Sequence, residues 1–242
     1  QFSEVDPADF SLTNIEGALA TEERGLDFDA ARKHFRQILG PALHLNEKVT
    51  HVRETPSHVE LGGETFDLVI NCTWCSLDTG HVVPGLFFEP TTLFYYEATE
   101  PFYGALTTMD GNCFSVYPYE KNIYTLSHVK YTPRGQFNNF EAANAVNNNM
   151  TQGYFNAIRE QMVKEVIYEF PSFLDRFRYV DVQKSVKTKY VNERASRETI
   201  VSRQDKIINV LSGKIDTVFV AEDIVLEMVR TLEMYEQERH VA

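Results

Sequence analysis

The sequence contains no Gly-x-Gly pair, although glycine occurs twelve times in its 242 residues. A Gly-x-Gly-x-x-Gly loop between a strand and a helix lets backbone N–H groups surround the pyrophosphate of a dinucleotide. Its absence excludes a complete dinucleotide-binding unit of that kind. Gly-x-Ser-x-Gly, Walker-type lysine loop and His-Glu-x-x-His motifs are missing too, so nothing anchors a hydrolase, an NTPase or a zinc protease.

Positive charge is also scarce. Lys and Arg number 23 against 35 Asp and Glu, which gives a formal net charge of −12. Without a basic surplus to neutralise phosphates, neither a nucleic acid nor an anionic membrane surface is expected as a partner. No apolar run approaches the roughly 20 residues of a membrane span.

Cysteine occurs three times, and this odd number without a regular framework fits a reducing compartment. We therefore expect a cytoplasmic protein. Cys72 and Cys75 form a Cys-x-x-Cys pair that follows a strand pattern and precedes a loop. A redox dithiol normally sits at a helix N-terminus, so a redox role is disfavoured, and the ligand spacing predicts no metal site.

Hydrophobic periodicity predicts the main elements. A helix is expected over 28–39, ended by Gly40-Pro41, followed by a strand over 49–53. Gly62-Gly63 indicates a hairpin whose second arm runs on into the apolar segment 67–72.

The middle of the chain is rich in aromatic residues. Seven of the twelve tyrosines lie between Tyr95 and Tyr131 among short β-prone runs, which indicates an antiparallel meander. A long helical stretch is expected over 141–169, and an apolar strand over 207–211 leads through a glycine turn to a final helix from 221 to about 238. The pattern predicts a mixed α/β fold.

Several of these segments resemble, in the same order, parts of D-amino-acid-oxidase-like FAD-dependent oxidoreductases. The segment Val49–Val52 resembles the strand beside the adenine, and Asp67–Trp74 resembles a strand whose end usually reads Asn-Ala/Cys-Thr/Ala-Gly. Residues 109–133 resemble the substrate-domain sheet, and Ser212–Ile215 resembles the final turn under the flavin. The resemblance covers most of residues 15–230.

The resemblance implies a fold and a division into domains. We expect an incomplete FAD-binding, Rossmann-like layer from residues 1–85 and 185–242, with strands 68–72 and 207–211 close together. Residues 86–184 would form an antiparallel substrate domain with a long helix. Because the fingerprint is absent and the chain begins with Gln1, we expect the C-terminal two-thirds of a larger flavoprotein.

The resemblance also implies cofactor-binding residues. They are Val49, Thr73, Trp74, Gly213, Lys214 and Ile215. Gly213 would permit close backbone approach and Lys214 would add positive charge near the flavin, although an ordinary glycine turn with a surface lysine explains the same residues. Trp74 stands where the family usually has Gly. This departure and the missing fingerprint predict that FAD, the cofactor of the family, is not bound by this chain alone.

The candidate substrate-binding residues are Tyr119, Tyr124, His128 and Arg203. Arg203 could bind a carboxylate bidentately or form a surface ion pair with Asp205, and the other three could equally be core residues.

The implied function is oxidation of a small amine, amino acid or hydroxy substrate by hydride transfer to flavin. The alternative is a non-catalytic interaction domain that retains the fold without the cofactor. No residue is a compelling acid or base. A homo-oligomer formed through the vacated cofactor face is expected, because that face would be apolar and exposed.

Overall fold

The computed structural model describes residues 2–80, 83–102, 104–111, 113–191, 198–211 and 213–241. It confirms the mixed α/β class. The helices are α1 (Phe28–Leu39), α2 (Phe140–Asn149), α3 (Gln152–Glu169), α4 (Phe173–Arg176) and α5 (Val218–Val241). The strands are β1 (Phe2–Val5), β2 (Ala18–Thr21), β3 (Val52–Glu54), β4 (Val59–Leu61), β5 (Glu64–Phe66), β6 (Val69–Asn71), β7 (Leu86–Ala98), β8 (Leu106–Thr107), β9 (Phe114–Glu120), β10 (Ile123–His128), β11 (Phe177–Tyr190), β12 (Ile200–Gln204) and β13 (Ile207–Leu211).

The strands form four sheets. The largest has the order β11-β7-β10-β9-β8, and β7, β10, β9 and β8 run antiparallel to their neighbours within it. Three smaller sheets have the orders β1-β2, β3-β4-β5 and β12-β13-β6. The pair β13–β6 is parallel, whereas β12 and β13 form an antiparallel hairpin.

The principal core lies between the five-stranded sheet and α3. Side chains alternate along β10, so that Tyr124, Leu126 and His128 are buried while the residues between them are half-exposed. The buried stripe of α3 repeats every three or four residues. It consists of Phe155, Ile158, Met162 and Val166, with Glu169 at the end. The antiparallel meander predicted from short β-prone runs is therefore confirmed, as is the apolar stripe of the helix that covers it.

Helix α1 has the predicted bounds because its ends carry local signals. Asp27 caps the N-terminus by accepting hydrogen bonds from the N–H groups of Asp29 and Ala30, and Gly40 adopts a positive φ of 48° at the other end. None of the helix residues is buried, and Phe35 and Ile38 are 59% and 63% exposed. The apolar stripe thus predicted the helix but not its burial.

The predicted strand 49–53 and the continuous arm 64–72 were wrong in extent. Strand β3 begins only at Val52, because its partner β4 ends opposite it at Leu61, just before the Gly62-Gly63 turn. The arm breaks after Phe66. Strand β5 pairs with β4, whereas β6 belongs to another sheet and the N–H of Val69 bonds to the carbonyl of Lys206.

The predicted helix over 141–169 is two helices. Thr151 separates α2 from α3 in an extended conformation, and its side chain accepts a hydrogen bond from the N–H of Tyr154. A threonine that caps a new helix competes with continuation of the previous one. Helix α5 begins at Val218, three residues before the predicted start.

The chain divides into two compact units. Unit 1 comprises Gln1–Leu45, Pro90–Gly135 and Glu141–Val186, and unit 2 comprises Asn46–Glu89, Gln136–Phe140 and Lys187–Ala242. Residues 1–45 thus join the large sheet, since Leu12 is buried in its core and the N–H of Thr13 bonds to the carbonyl of Glu169. The division into an FAD-binding and a substrate domain stays a prediction.

Two further findings concern the described residues. None of their helices has the length and apolar character needed to cross a membrane. They also contain no group of three or more His, Cys, Asp or Glu side chains that could hold a metal ion.

Candidate functional site

The carboxyl ends of β6 and β13 meet at one edge of the small sheet in unit 2. The two strands are parallel, with Val69 opposite Ile207 and Asn71 opposite Asn209. In open α/β sheets, ligands bind outside the carboxyl ends of parallel strands. The sequence leaving β6 at Thr73 and the sequence leaving β13 at Gly213 therefore start from this same edge.

A buried amide pair holds this edge together. The side-chain N–H group of Asn71 donates to Oδ1 of Asn209 at 2.8 Å, and the two residues are only 3% and 5% exposed. Oδ1 of Asn71 in turn accepts hydrogen bonds from the backbone N–H and the hydroxyl of Thr73, at 3.1 and 2.7 Å. The pair thus connects both strands to Thr73, the residue that begins the following turn.

The loop after β6 is a tight turn with an unusual backbone. The N–H of Ser76 donates to the carbonyl of Thr73 at 3.1 Å, and the two central residues, Trp74 and Cys75, have φ values of 60° and 57°. Two positive φ values define a type I′ turn, which favours Asn and Gly. Each non-glycine residue in this region costs about 1–2 kcal/mol. The backbone at Trp74 therefore has the left-handed conformation that glycine usually adopts, although the residue is tryptophan.

Two further hydrogen bonds, in addition to the one that closes the turn, stabilise this conformation. The hydroxyl of Thr188 donates to the carbonyl of Trp74 at 2.6 Å, and the hydroxyl of Thr73 accepts from the N–H of Leu77 at 3.1 Å. The Trp74 ring remains 40% exposed. A strained backbone that the surroundings hold in place is typical of functional sites.

The segment after β13 leads directly into a long helix. Lys214 precedes a 3-10 turn at Ile215–Thr217, and α5 follows at Val218. The carbonyl of Lys214 accepts a hydrogen bond from the hydroxyl of Thr217 at 2.8 Å. The positive end of the helix dipole therefore lies close to Gly213 and Lys214, where negative charge is favoured.

The six predicted cofactor residues lie in two different parts of unit 2. Thr73, Trp74, Gly213, Lys214 and Ile215 all follow the carboxyl ends of the parallel pair. Val49 lies half-buried in the irregular segment before β3. The candidate site residues named from the sequence did not include Asn71, Asn209 and Thr188, which support the turn. An asparagine at the end of a buried strand, as at Asn71, was the sequence signal that could have indicated the first of them.

The cysteines of the turn are unsuited to thiolate chemistry. Burial raises the pKa of both the Cys72 and the Cys75 thiols above the usual value. A thiol with a raised pKa supplies little thiolate at neutral pH.

The predicted substrate residues of unit 1 lie on opposite faces of the large sheet. Tyr124 and His128 face the helices; the hydroxyl of Tyr124 donates to the carbonyl of Phe102, and His128 is 2% exposed. Burial lowers the pKa of His128. Tyr119 lies on the other face, is 44% exposed, and packs against Tyr95 with ring centroids 4.8 Å apart.

Arg203 lies in unit 2, on strand β12. Its Nε donates to the carbonyl of Asp205 at 2.8 Å within the β12–β13 hairpin. This bond is made to the backbone rather than to the Asp205 carboxylate. The roles of Arg203 and of the three sheet residues in substrate binding stay predictions.

Comparisons with known proteins show which proteins the chain resembles. No protein-family profile matches the chain. It is 36% identical over 232 residues to the FAD-dependent monooxygenase FPY4 of Fusarium mangiferae, covering 94% of this chain and 61% of that protein. It is 27% identical over 254 residues to the FAD-dependent monooxygenase kojA of Aspergillus flavus, covering 94% of this chain and 59% of that protein.

The fold has a solved counterpart. The FAD-dependent oxidoreductase PA4991 of Pseudomonas aeruginosa superposes with a TM-score of 0.58 at 12% identity, over 85% of this chain and 58% of that one. The chain thus spans about three-fifths of the length of each of these proteins. The sequence relatives support the family of FAD-dependent oxidoreductases, and the solved structure supports the fold.

Proposed function

We propose that this chain supplies part of an FAD-dependent oxidoreductase of the D-amino-acid-oxidase-like type. The observation that carries the proposal is the parallel pair β6–β13, whose carboxyl ends bring the Thr73 turn and the Gly213 segment to one edge. Curated FAD-dependent monooxygenases related over nearly the whole chain support the FAD-dependent part of the proposal.

The residues at this edge fit one part of the cofactor. Backbone of glycine type at Trp74 and Cys75 permits close approach of a ligand, and the start of α5 supplies a positive dipole near Gly213. These groups suit the edge of a flavin ring. The sequence has no Gly-x-Gly loop for the pyrophosphate, so we infer that this chain alone does not retain FAD.

FAD, when bound, would supply the capacity to accept a hydride from a substrate carbon. This chain contributes positioning. Asn71 and Asn209 fix the spacing of the two strands, Thr188 holds the turn at Trp74, and Lys214 adds positive charge beside the start of α5. The proposed substrate is a small amine, amino acid or hydroxy compound oxidised at a carbon bonded to nitrogen or oxygen.

Monooxygenation is the second candidate reaction, because the curated relatives carry that name. Incorporation of isotope-labelled dioxygen into the product would identify it, whereas a simple dehydrogenation leaves no label. The alternative of a non-catalytic interaction domain has no support among these relatives.

The test is flavin retention by the full-length protein that contains this chain. We expect the purified protein to show the visible flavin absorption and Gly213→Val to reduce it, because a side chain at this position would occupy the space of the ligand. Gly17→Val is the matched control, since an added Cβ there meets nothing within 4 Å. A colourless protein that FAD neither colours nor stabilises thermally would refute the proposal.

A further inference from the structure

One face of the large sheet in unit 1 carries a patch of hydroxyl side chains, beside which the same alternation places Ile123 and Glu97. Residues whose side chains point away from the helices lie in two adjacent rows across the strands. In the first row Thr125 lies opposite Tyr95 and Tyr117, and in the second Ser115 lies opposite Ser127 and Thr107. With Tyr119, these residues define the hydroxyl face: Tyr95, Thr107, Ser115, Tyr117, Tyr119, Thr125 and Ser127.

The hydroxyl face is accessible. Tyr117 and Tyr119 are 41% and 44% exposed, while Pro118 between them is half-buried. An added Cβ at Gly25 would lie 3.7 Å from the Tyr117 hydroxyl. The N-terminal segment of the same unit therefore borders the face at Tyr117, where Gly25 contributes no side chain.

The hydroxyls already form an ordered set. The side chains of Thr107 and Ser115 hydrogen-bond at 3.0 Å, and the hydroxyl of Thr125 donates to the carbonyl of Tyr117 at 3.4 Å. Tyr95 and Tyr119 pack with their rings tilted by 44°. Ordered tyrosines offer a large apolar ring surface together with a polar tip, at little cost in side-chain entropy.

The charges around the hydroxyl face are unfavourable to anions. The seven residues of the hydroxyl face are uncharged, but Glu97 lies two residues after Tyr95 on the same side of β7. At the margin of the hydroxyl face Arg178 is paired with Glu97, and the negative charge of Asp181 acts on Tyr95. A carboxylate substrate would need a guanidinium or ammonium partner, because burying an unpaired charge is costly.

We propose that the hydroxyl face binds the ring of an uncharged, oxygen-bearing substrate, such as a neutral phenol or polyol, and rejects carboxylates. The inference rests on the proposed function, within which it replaces amino acids and hydroxy acids by neutral hydroxy compounds. Tyrosine rings pack on the apolar surface of such a ring, and the serine and threonine hydroxyls both donate to and accept from its oxygens.

Two aromatic probes of similar size, one neutral and one negatively charged, test the proposal. Resorcinol is a neutral dihydroxy ring and benzoate is a carboxylate ring, and each is titrated into the protein by ligand-observed NMR. We expect resorcinol to bind at least about tenfold more tightly than benzoate. Tyr117→Phe and Ser115→Ala should each reduce the affinity for resorcinol by several-fold, as expected for the loss of one hydrogen bond.

Tyr154→Phe is the matched control, because it removes a 46% exposed tyrosine hydroxyl on α3, outside the hydroxyl face. It should leave resorcinol binding unchanged. The proposal is overturned if benzoate binds equally well or better, if resorcinol shows no saturable binding, or if Tyr117→Phe behaves like Tyr154→Phe. Flavin absorption of the same samples tests the proposed function separately, so either idea can fail alone.

Discussion

Asn71 and Asn209 join the two parallel strands of unit 2 through a side-chain hydrogen bond of 2.8 Å between buried amides. The same Asn71 accepts two hydrogen bonds from Thr73, so one residue links the strand pair to the strained turn that follows. The geometry of the candidate cofactor edge depends on this amide.

The first prediction concerns that amide pair. Asn209→Ala leaves the buried amide of Asn71 without its acceptor, and we expect the free energy of unfolding to fall by about 1–3 kcal/mol. Urea denaturation measures the loss. Asn148→Ala is the control, because Asn148 is exposed on α2, and should change stability by less than about 0.5 kcal/mol. Equal effects of the two substitutions would contradict the structural role assigned to the pair.

The second prediction concerns the strained backbone at Trp74, where φ is 60°. Trp74→Gly and Trp74→Ala remove the same ring, but only glycine relieves the left-handed strain. We therefore expect Trp74→Gly to be more stable than Trp74→Ala by about 1 kcal/mol.

Thermal denaturation of both variants checks the order. At Ala145, which is exposed within α2, we expect alanine to be the more stable residue. Ala145→Gly should lower the free energy of unfolding by about 1 kcal/mol. If alanine proves better than glycine at both positions, the turn at Trp74 does not have the left-handed conformation.

How much the sequence could predict depended on whether the deciding interaction was local. The ends of α1 were predictable because Asp27, Gly40 and Pro41 are local signals. The break after Phe66 was not, because both halves read as strand and only pairing with β4 or with β13 separates them.

The candidate site shows the same limit. The residue types after β6 and β13 indicated the cofactor edge through the order of motifs. A tryptophan does not signal a positive φ, so the glycine-type backbone at Trp74 could not be read from the sequence. The aromatic-rich runs indicated a meander, and Tyr119, Tyr124 and His128 were grouped as candidate substrate residues. Which face of the sheet each residue occupies depends on strand register and tertiary packing.

The third prediction concerns pH. Burial lowers the pKa of His128 below its usual 6.5, so the folded state favours the neutral ring. The unfolded state then binds more protons at acidic pH. The contribution of His128 to stability is complete above pH 6.5 and is lost as pH falls from there through the lowered folded pKa.

Melting temperatures measured across this acidic window check the effect. We expect His128→Gln to have a lower melting temperature overall. We also expect its melting temperature to fall less between pH 6.5 and more acidic pH than that of the parent chain. His34→Gln changes an exposed histidine and should keep the whole decline. An unchanged pH profile in His128→Gln would show that His128 does not titrate as described.

The fourth prediction concerns self-association. Unit 2 exposes several large apolar side chains near the candidate edge, among them Ile215 and Phe219 at 61% and 71% exposure. Exposed apolar groups of this kind favour burial against a second copy. We expect this chain to form oligomers in analytical ultracentrifugation.

Ile215→Ser combined with Phe219→Ser should shift the chain towards the monomer. Met109→Ser is the control, since Met109 is 79% exposed but lies in unit 1, and should leave the distribution unchanged. A monomeric parent chain, or equal effects of both sets of substitutions, would contradict an interface at this patch.

The most direct measurement uses Trp74, the single tryptophan of the sequence, which lies at the candidate cofactor edge. Its fluorescence is titrated with riboflavin, FMN and FAD, with free N-acetyltryptophanamide as the reference for light absorbed by the ligand. Because the edge offers contacts to the flavin ring but no loop for the pyrophosphate, we predict saturable quenching by all three, with midpoints within about threefold. Absence of saturable quenching, or an FAD midpoint about a hundredfold below that of riboflavin, would contradict the account.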